Sequence, residues 1–109
     1  MKDDRVYLLH IRDCLGRVTE YVREGRAAFF ADTRTQDAVL RNLEVIGEAV
    51  KNLSPAYKDA HPDIPWKRIA GLRDVLIHGY FGVKLETVWA VVDRELPAFR
   101  AAVERMLAD

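Results

Sequence analysis

Apolar residues recur every three or four positions through most of this 109-residue sequence. β-Branched residues nowhere alternate with polar ones over the length of a strand. A three-to-four-residue spacing puts apolar side chains on one face of an α-helix, whereas a half-buried strand needs a period of two. The pattern therefore predicts an all-α fold.

Helix-breaking residues divide this pattern into segments. We predict helices at Asp3–Arg23, Arg26–Phe30, Thr33–Leu53, Pro65–His78 and Leu85–Leu107. Gly25 marks the end of the first helix, and Ser54-Pro55 ends the third before a proline-rich connection. Pro97 predicts a kink or break in the last helix. Amphipathic helices of this length favour an antiparallel bundle of four to five helices, in one domain spanning residues 1–109.

Cysteine and histidine are too few and too scattered for a recognisable metal site. Cys14 is the single cysteine, so no intramolecular disulfide can form, and neither it nor His10, His61 or His78 shows metal-ligand spacing. We expect a protein that needs neither metal nor cofactor, with Cys14 as a small packing residue.

The net charge of zero excludes a nucleic-acid-binding protein that is basic over its whole surface. Seventeen basic residues balance seventeen acidic ones, so any binding of nucleic acid must come from a local patch. The first ten residues carry charges where a secretory signal would be apolar, and no apolar run approaches the length of a membrane span. We therefore expect a cytoplasmic protein with no membrane contact.

The segment from Arg73 to Tyr80, Arg-Asp-Val-Leu-Ile-His-Gly-Tyr, contains the residue types that phosphodiester chemistry uses. Arginine can hold two phosphate oxygens, and histidine titrates close to neutrality. Tyr80 adds a hydroxyl and an aromatic face. Such a pair on a helix is nevertheless more often a solvated cation and a structural histidine.

Helix geometry separates the two principal residues of this segment. Five residues place Arg73 and His78 about 140° apart around an ideal helix. Either the helix unwinds near Gly79, or a second subunit completes the site. We favour the second alternative, in which a two-fold contact brings two copies of the segment around one groove and makes the protein a homodimer.

The pattern Arg-x4-His-x-Tyr resembles the signature of the HEPN superfamily, in particular its HepT-like branch, also known as DUF86. The segments around it, 36–49, 62–80 and 88–97, are similar to the family's second long helix, catalytic segment and C-terminal segment. The resemblance covers nearly the whole chain and implies a HEPN-type helical bundle.

The resemblance also implies a function. HepT-like proteins are metal-independent endoribonucleases that act as homodimeric toxins, and Arg73 and His78 match the catalytic positions of their motif. The antitoxin is typically a minimal nucleotidyltransferase of the MntA type, which in some members transfers AMP to the motif tyrosine. Tyr80 is the corresponding residue here.

Other residues have two interpretations. Asp74 lies four residues before His78, where it could fix the imidazole tautomer or be a solvated carboxylate. Trp66, Lys67 and Arg68 could contact single-stranded RNA, although Trp66 more often packs in a core. Glu44 and Glu48 favour surface pairing with Arg41 or Lys51 over metal binding, and Arg34, Arg41 and Lys51 receive no functional role.

Two further functions remain as alternatives. The first is a non-catalytic helical module that docks a minimal nucleotidyltransferase, which would bind the partner tightly but turn over no RNA. The second is a purely structural bundle, which would tolerate substitution of Arg73 and His78.

Overall fold

A computed structural model describes residues 3–78 and 84–109, apart from the side chains of residues 73–78. The described residues are predominantly helical and contain no strand, which confirms the predicted all-α fold. The helices are α1 (Asp4–Tyr21), α2 (Arg26–Ala31), α3 (Thr33–Asn52), α4 (Pro55–Asp59), α5 (Trp66–His78), α6 (Leu85–Ala90), a π-helical turn (Val91–Glu95) and α7 (Leu96–Ala108). None of these described helices is long and apolar enough to cross a membrane.

Aspartates cap the starts of the two longest helices. Asp3 accepts a hydrogen bond from the backbone N–H of Arg5 at the start of α1. At the start of α3, the Asp32 carboxylate accepts hydrogen bonds from the Thr35 hydroxyl and the Arg34 backbone N–H. These two bonds, that of Thr35 first, hold the pKa of Asp32 below its usual value. Both caps satisfy backbone donors that a helix start leaves without partners.

The connection after α3 contains a short helix, α4, that the sequence did not predict. α3 ends at Asn52, as expected from Ser54-Pro55, but the same two residues then start α4. The Ser54 hydroxyl accepts a hydrogen bond from the Tyr57 N–H, and Pro55 occupies the first helical position, where its missing N–H costs nothing. Ser54 also donates from its N–H and its hydroxyl to the Asp4 carboxylate, both at 2.8 Å, which joins α4 to α1.

The predicted last helix is interrupted, as Pro97 indicated, but the interruption precedes the proline. The chain passes from α6 into the π-helical turn Val91–Glu95 and then into α7. Pro97 lies in the first turn of α7, where no intrahelical N–H is required. The wider π-helical turn thus allows a new helix to begin at a position that tolerates proline.

Helix α3 is the central element of the hydrophobic core. It packs against both α1 and α5, while α7 packs against α1. Four apolar residues of α3 are at most 1% exposed: Val39, Leu43, Ile46 and Val50. These four residues lie within about 60° of one another around the helix axis, so they form the apolar stripe of an amphipathic helix.

Trp66 fixes the start of α5 in the core. It is 8% exposed, and its ring meets that of Phe99 edge to face at a centroid distance of 6.1 Å. The indole N–H donates a 3.0 Å hydrogen bond to the backbone carbonyl of His61. This confirms the core-packing interpretation of Trp66, which leaves its ring unavailable for stacking on RNA.

An ion pair joins α5 to the π-helical turn. The Arg68 guanidinium donates two hydrogen bonds to the Glu95 carboxylate, at 2.6 and 2.7 Å. The hydrogen bond from Arg68 holds the pKa of Glu95 below its usual value. Arg68 therefore has a carboxylate partner within the chain, so its charge is largely compensated.

Replacing Val39 by alanine tests the central position of α3. Val39 is 0% exposed, whereas Val6 on α1 is 57% exposed and provides the same chemical change at a helix surface. We expect Val39→Ala to lower the free energy of unfolding by about 2 kcal/mol relative to Val6→Ala, from two lost methyl groups and the resulting cavity. Urea denaturation measures both, and equal values would contradict the buried placement of α3.

Replacing Glu95 by glutamine tests the ion pair through the pH dependence of the free energy of unfolding. A carboxylate whose pKa is lowered by folding stabilises the protein above its unfolded pKa, about 4.3 for glutamate. This contribution is lost as the pH falls through the lower, folded value. We therefore expect the wild type to lose more unfolding free energy than Glu95→Gln between neutral pH and acid, and parallel curves would contradict the pair.

Candidate active site

The candidate catalytic segment lies at the C-terminal end of α5. The backbone is α-helical from Trp66 through His78, so Arg73 and Asp74 lie about one turn before His78 on one helix, within its predicted limits. Their side chains fall outside the described part of the structure, as does Tyr80 altogether. The roles predicted for these four residues therefore stay predictions, while the helix that carries three of them is established.

The register of α5 assigns these backbone positions to different faces. Position 73 lies about 20° around the axis from Trp66 and about 40° from Ile69, and both of those residues are buried. Position 78 lies on the opposite face, about 180° from Ile69. The backbone of α5 is helical as far as His78. The angle of about 140° calculated for positions 73 and 78 on an ideal helix therefore applies to α5.

Positions 74 and 78 are neighbours on α5. They are separated by four residues, which is the spacing of neighbours on a helix surface, and α5 is regular over this interval. Lys67 and Gly71 belong to the same stripe, since positions 67 and 78 differ by about 20° after three turns. Lys67 is exposed and Gly71 is half-buried.

A concave surface lies at the other end of α5. Its volume is about 1030 Å³, and we call it the lysine groove. Its charged residues are Lys51 at the end of α3, Lys58 and Asp59 in α4, and Lys67 and Arg68 in α5; the remaining lining residues are Pro62, Ile64, Pro65, Trp66 and Ala70. The three lysines come from three different helices, α3, α4 and α5.

A second cavity, of about 700 Å³, lies between α5 and α7. Ile64, Ile69 and Phe99 are among its apolar lining residues. Its charged lining includes both signs: Asp63, Arg68, Arg94, Glu95 and Arg105.

Several other residues that the sequence singled out make contacts within the chain or pack in its core. Glu44 forms a 3.7 Å ion pair with Arg41, which confirms the predicted surface pairing. Cys14 is 1% exposed, and its burial raises the pKa of the thiol, so it acts as a packing residue. The His61 ring lies 4.7 Å from that of Tyr57. Among the described residues, no group of three His, Cys, Asp or Glu side chains could hold a metal ion.

Sequence reasoning missed Lys58 and the partner of Arg68. Lys58 lies in α4, a helix that was not predicted. Ser54-Pro55 is a recognisable helix start and could have predicted this helix. Glu95 lies 27 residues after Arg68, and no local spacing connects the two. Arg68 was proposed as an RNA contact, but its guanidinium instead binds a carboxylate of its own chain.

Known proteins resemble this chain over nearly its whole length. A protein named "Probable ribonuclease HepT" from Thermococcus cleftensis is 41% identical over 101 residues, covering 92% of each chain. A "Putative RNase" from Caldanaerobacter subterraneus subsp. tengcongensis is 40% identical over 108 residues, covering 98% of this chain and 96% of the relative. No solved structure matches the chain.

One relative is considerably longer than this chain. It is the "Gamma-glutamylcyclotransferase and putative RNase" of Methanocaldococcus jannaschii, 38% identical over 109 residues. The match covers 99% of this chain but 49% of that relative. The chain thus corresponds to about half of that protein, while it matches the two relatives above nearly end to end.

The match to a family model agrees with these relatives. The model described as "Ribonuclease HepT-like" covers residues 11–106, from the first turns of α1 almost to the end of α7. It therefore includes all of α5 and the segment Arg73–Tyr80, whose pattern resembled this family's signature. By its sequence over this whole span, the chain is a member of the HepT-like ribonuclease family.

Proposed function

We propose that this protein is a metal-independent endoribonuclease that acts in the cytoplasm as the toxin of a toxin–antitoxin pair. Membership of a ribonuclease family supports RNA as the substrate. The motif Arg73-x4-His78-x-Tyr80 supports these residues as the reacting groups. The observation that carries the proposal is the match to the HepT-like ribonuclease family over residues 11–106, a span that includes the whole of helix α5 and its motif.

In the proposed reaction, the 2′-hydroxyl of the substrate attacks the adjacent phosphorus. A base removes the hydroxyl proton, the bond from phosphorus to the 5′-oxygen breaks, and an acid protonates that oxygen. The products are a 2′,3′-cyclic phosphate and a free 5′-hydroxyl. His78 performs acid–base chemistry, and Arg73 stabilises the phosphate oxygens as negative charge develops on them.

We assign Asp74 a positioning role rather than a catalytic one. The four-residue spacing of Asp74 and His78 on α5 is that of neighbours on a helix surface, which supports this role. A hydrogen bond from the imidazole N–H to the carboxylate would hold one tautomer and stabilise the protonated ring. Asp74 would then influence the reaction through His78 without contacting RNA.

The separation of positions 73 and 78 supports a site built from two chains. Because these positions diverge by about 140° on one helix, a single chain has difficulty directing both side chains at one phosphate. In a two-fold dimer, Arg73 of one subunit can face His78 of its partner, and two such sites form. This is the arrangement we propose.

Mixing two inactive variants tests both the catalytic roles and the dimer. We expect His78→Ala alone to lower the RNA cleavage rate by roughly 10²–10⁴-fold, the usual contribution of an aligned acid–base group. Arg73→Ala should also be strongly impaired, and Asp74→Asn should be partly impaired while keeping its circular dichroism spectrum. His10→Ala, an exposed histidine on α1, is the matched control and should remain active.

Co-refolding His78→Ala with Arg73→Ala should then restore cleavage. Half of the dimers would be mixed and each would retain one complete site, giving about a quarter of wild-type activity if Arg73 and His78 act across the dimer. No recovery would contradict the shared site. Full activity of His78→Ala alone would contradict the catalytic assignment. A wild type that binds a nucleotidyltransferase but cleaves no RNA would instead favour a helical module that only docks this partner.

The partner we propose is a minimal nucleotidyltransferase of the MntA type that transfers AMP to Tyr80. The phenolic oxygen would attack the α-phosphorus of ATP, pyrophosphate would leave, and the phenolic proton would pass to solvent. The product places a phosphodiester and an adenosine beside the groups that hold RNA phosphate. Added negative charge and bulk would both oppose substrate binding.

Mass spectrometry after incubation with such a partner and ATP tests this regulation. We expect the wild type to gain the mass of one adenylyl group and to lose RNA cleavage, whereas Tyr80→Phe should gain no mass. Tyr21→Phe, on the exposed surface of α1, is the control and should be modified like the wild type. An unmodified wild type, or a modified Tyr80→Phe, would reject Tyr80 as the acceptor.

A further inference from the structure

We propose that a pocket between α1 and α7 binds a small amphiphilic molecule, which places an apolar chain in the pocket and a carboxylate on Arg100. We call this cavity the Arg100 pocket. None of its described lining residues belongs to α5, so it is separate from the candidate active site. The inference therefore does not depend on the proposed ribonuclease function.

The walls of the Arg100 pocket are largely apolar. Its volume is about 500 Å³, within the range of about 300–1,000 Å³ that is usual for small-molecule sites. The apolar lining side chains come from α1 and the turn after it, from α6, from the π-helical turn and from α7: Leu15, Val18, Val22, Trp89, Val92, Leu96 and Pro97. Its polar side chains are those of Thr19, Asp93 and Arg100. A few polar groups in an apolar cleft are typical of a site that orients a ligand by one end.

Two residues define the open side of the pocket. Gly25, at the rim, has a φ of 96°, a conformation that favours glycine, so no side chain covers this edge. Trp89 forms part of the wall, and its ring packs against that of Phe29 at a centroid distance of 5.4 Å. The indole is half-buried. Its position is therefore fixed, while part of its surface remains accessible to a ligand.

Arg100 is held against α1 by a chain of hydrogen bonds. The Thr19 hydroxyl donates to the backbone carbonyl of Leu15 at 2.9 Å, and its oxygen accepts a 3.0 Å hydrogen bond from Nη1 of Arg100. Nη2 of Arg100 lies 3.9 Å from where a Cβ of Gly16 would be. A guanidinium has five N–H donors, and the bond to Thr19 uses one of them. An anion can bind the other donors at little further cost in side-chain freedom.

The charge of Arg100 has no carboxylate partner in the described part of the chain. Arg100 is half-buried, and the acceptor of its hydrogen bond is a neutral hydroxyl. It also borders a shallow surface whose other charged residues are Arg12, Asp13, Arg17, Glu20 and Glu104. Glu20 pairs with Arg23, and the four others carry two charges of each sign. These neighbours leave the charge of Arg100 uncompensated, whereas a ligand carboxylate would neutralise it through charge-assisted hydrogen bonds.

Asp93 determines which way round the ligand binds. It precedes Arg100 by seven residues, which correspond to a rise of about 10 Å along a helix, and it is exposed to solvent. A carboxylate on Arg100 is therefore distant from the Asp93 carboxylate, and the apolar chain of the ligand can lie between them against Val92 and Leu96. An ammonium compound would instead prefer Asp93, so the sign of the ligand's charge tests the proposal.

Isothermal titration calorimetry with sodium decanoate at neutral pH measures binding to the full chain. We expect one molecule per chain, and octanoate, which is shorter by two methylene groups, should bind roughly tenfold more weakly. Arg100→Gln should weaken decanoate binding about tenfold to a hundredfold, because charge-assisted hydrogen bonds are lost. The same variant should bind the uncharged decanol as the wild type does.

The matched control removes an arginine of the same helix outside the pocket. Arg105 is exposed on α7 and does not line the Arg100 pocket, so Arg105→Gln should bind decanoate like the wild type. Unchanged affinity of Arg100→Gln, or an equal loss in Arg105→Gln, would overturn Arg100 as the anchor.

Tryptophan fluorescence tests where the ligand binds. Decanoate should change the fluorescence of the wild type. Trp89→Phe should keep binding decanoate but lose this change, since Trp66 lies in the core beside Phe99. Val22→Phe should weaken binding severalfold by filling the pocket, whereas Val6→Phe, the same change at an exposed site of α1, should not. A fluorescence change that persists in Trp89→Phe would place the ligand elsewhere and overturn the site.

Three other ligands distinguish the chemical class. Decylammonium that binds as tightly as decanoate would reject a carboxylate ligand, and decanol that does so would show that apolar contact alone accounts for binding. A peptide that ends in Val-Leu with a free carboxylate, if it binds more tightly than decanoate, would assign the pocket to the C-terminus of a protein instead. Weaker binding of all three would support a small amphiphilic carboxylate.

Discussion

The fold depends on the burial of one apolar face of helix α3, on which Val39, Ile46 and Val50 are each 0% exposed. Both α1 and α5 pack against α3. The packing of α5 on α3 in turn determines which side of α5 is buried. Trp66 and Ile69 lie on the buried side, whereas Lys67 is exposed.

Contacts at the start of α5 then determine how far the helix is shifted along its axis and how it is rotated about it. Trp66 is held by Phe99 of α7 and by the carbonyl of His61, while Arg68 is held by Glu95 of the π-helical turn. The π-helical turn is the consequence of joining α6 to a helix whose first turn contains Pro97. An irregularity in the last third of the chain therefore contributes to the orientation of the helix that carries Arg73 and His78.

The charges of this protein matter through their arrangement and not through their sum, which is zero. Arg68 with Glu95 and Arg41 with Glu44 are compensated within the chain. Lys58 of α4 and Lys67 of α5 line one groove together with the Asp59 carboxylate. The family to which this neutral chain belongs is one of ribonucleases.

The sequence alone determined the properties that depend on neighbours a few residues apart. Apolar spacing and helix-breaking residues predicted the all-α fold and nearly all helix limits. The resemblance of the Arg73, His78 and Tyr80 pattern to the HepT-like signature indicated the candidate motif. The missed helix α4 was also local in origin, since Ser54 and Pro55 form its start. Only the tertiary structure decided that Arg68 pairs with Glu95, that Trp66 is a core residue and that Lys58 shares a groove with Lys67. These contacts depend on how separate elements pack against one another, and no local periodicity in the sequence encodes that packing.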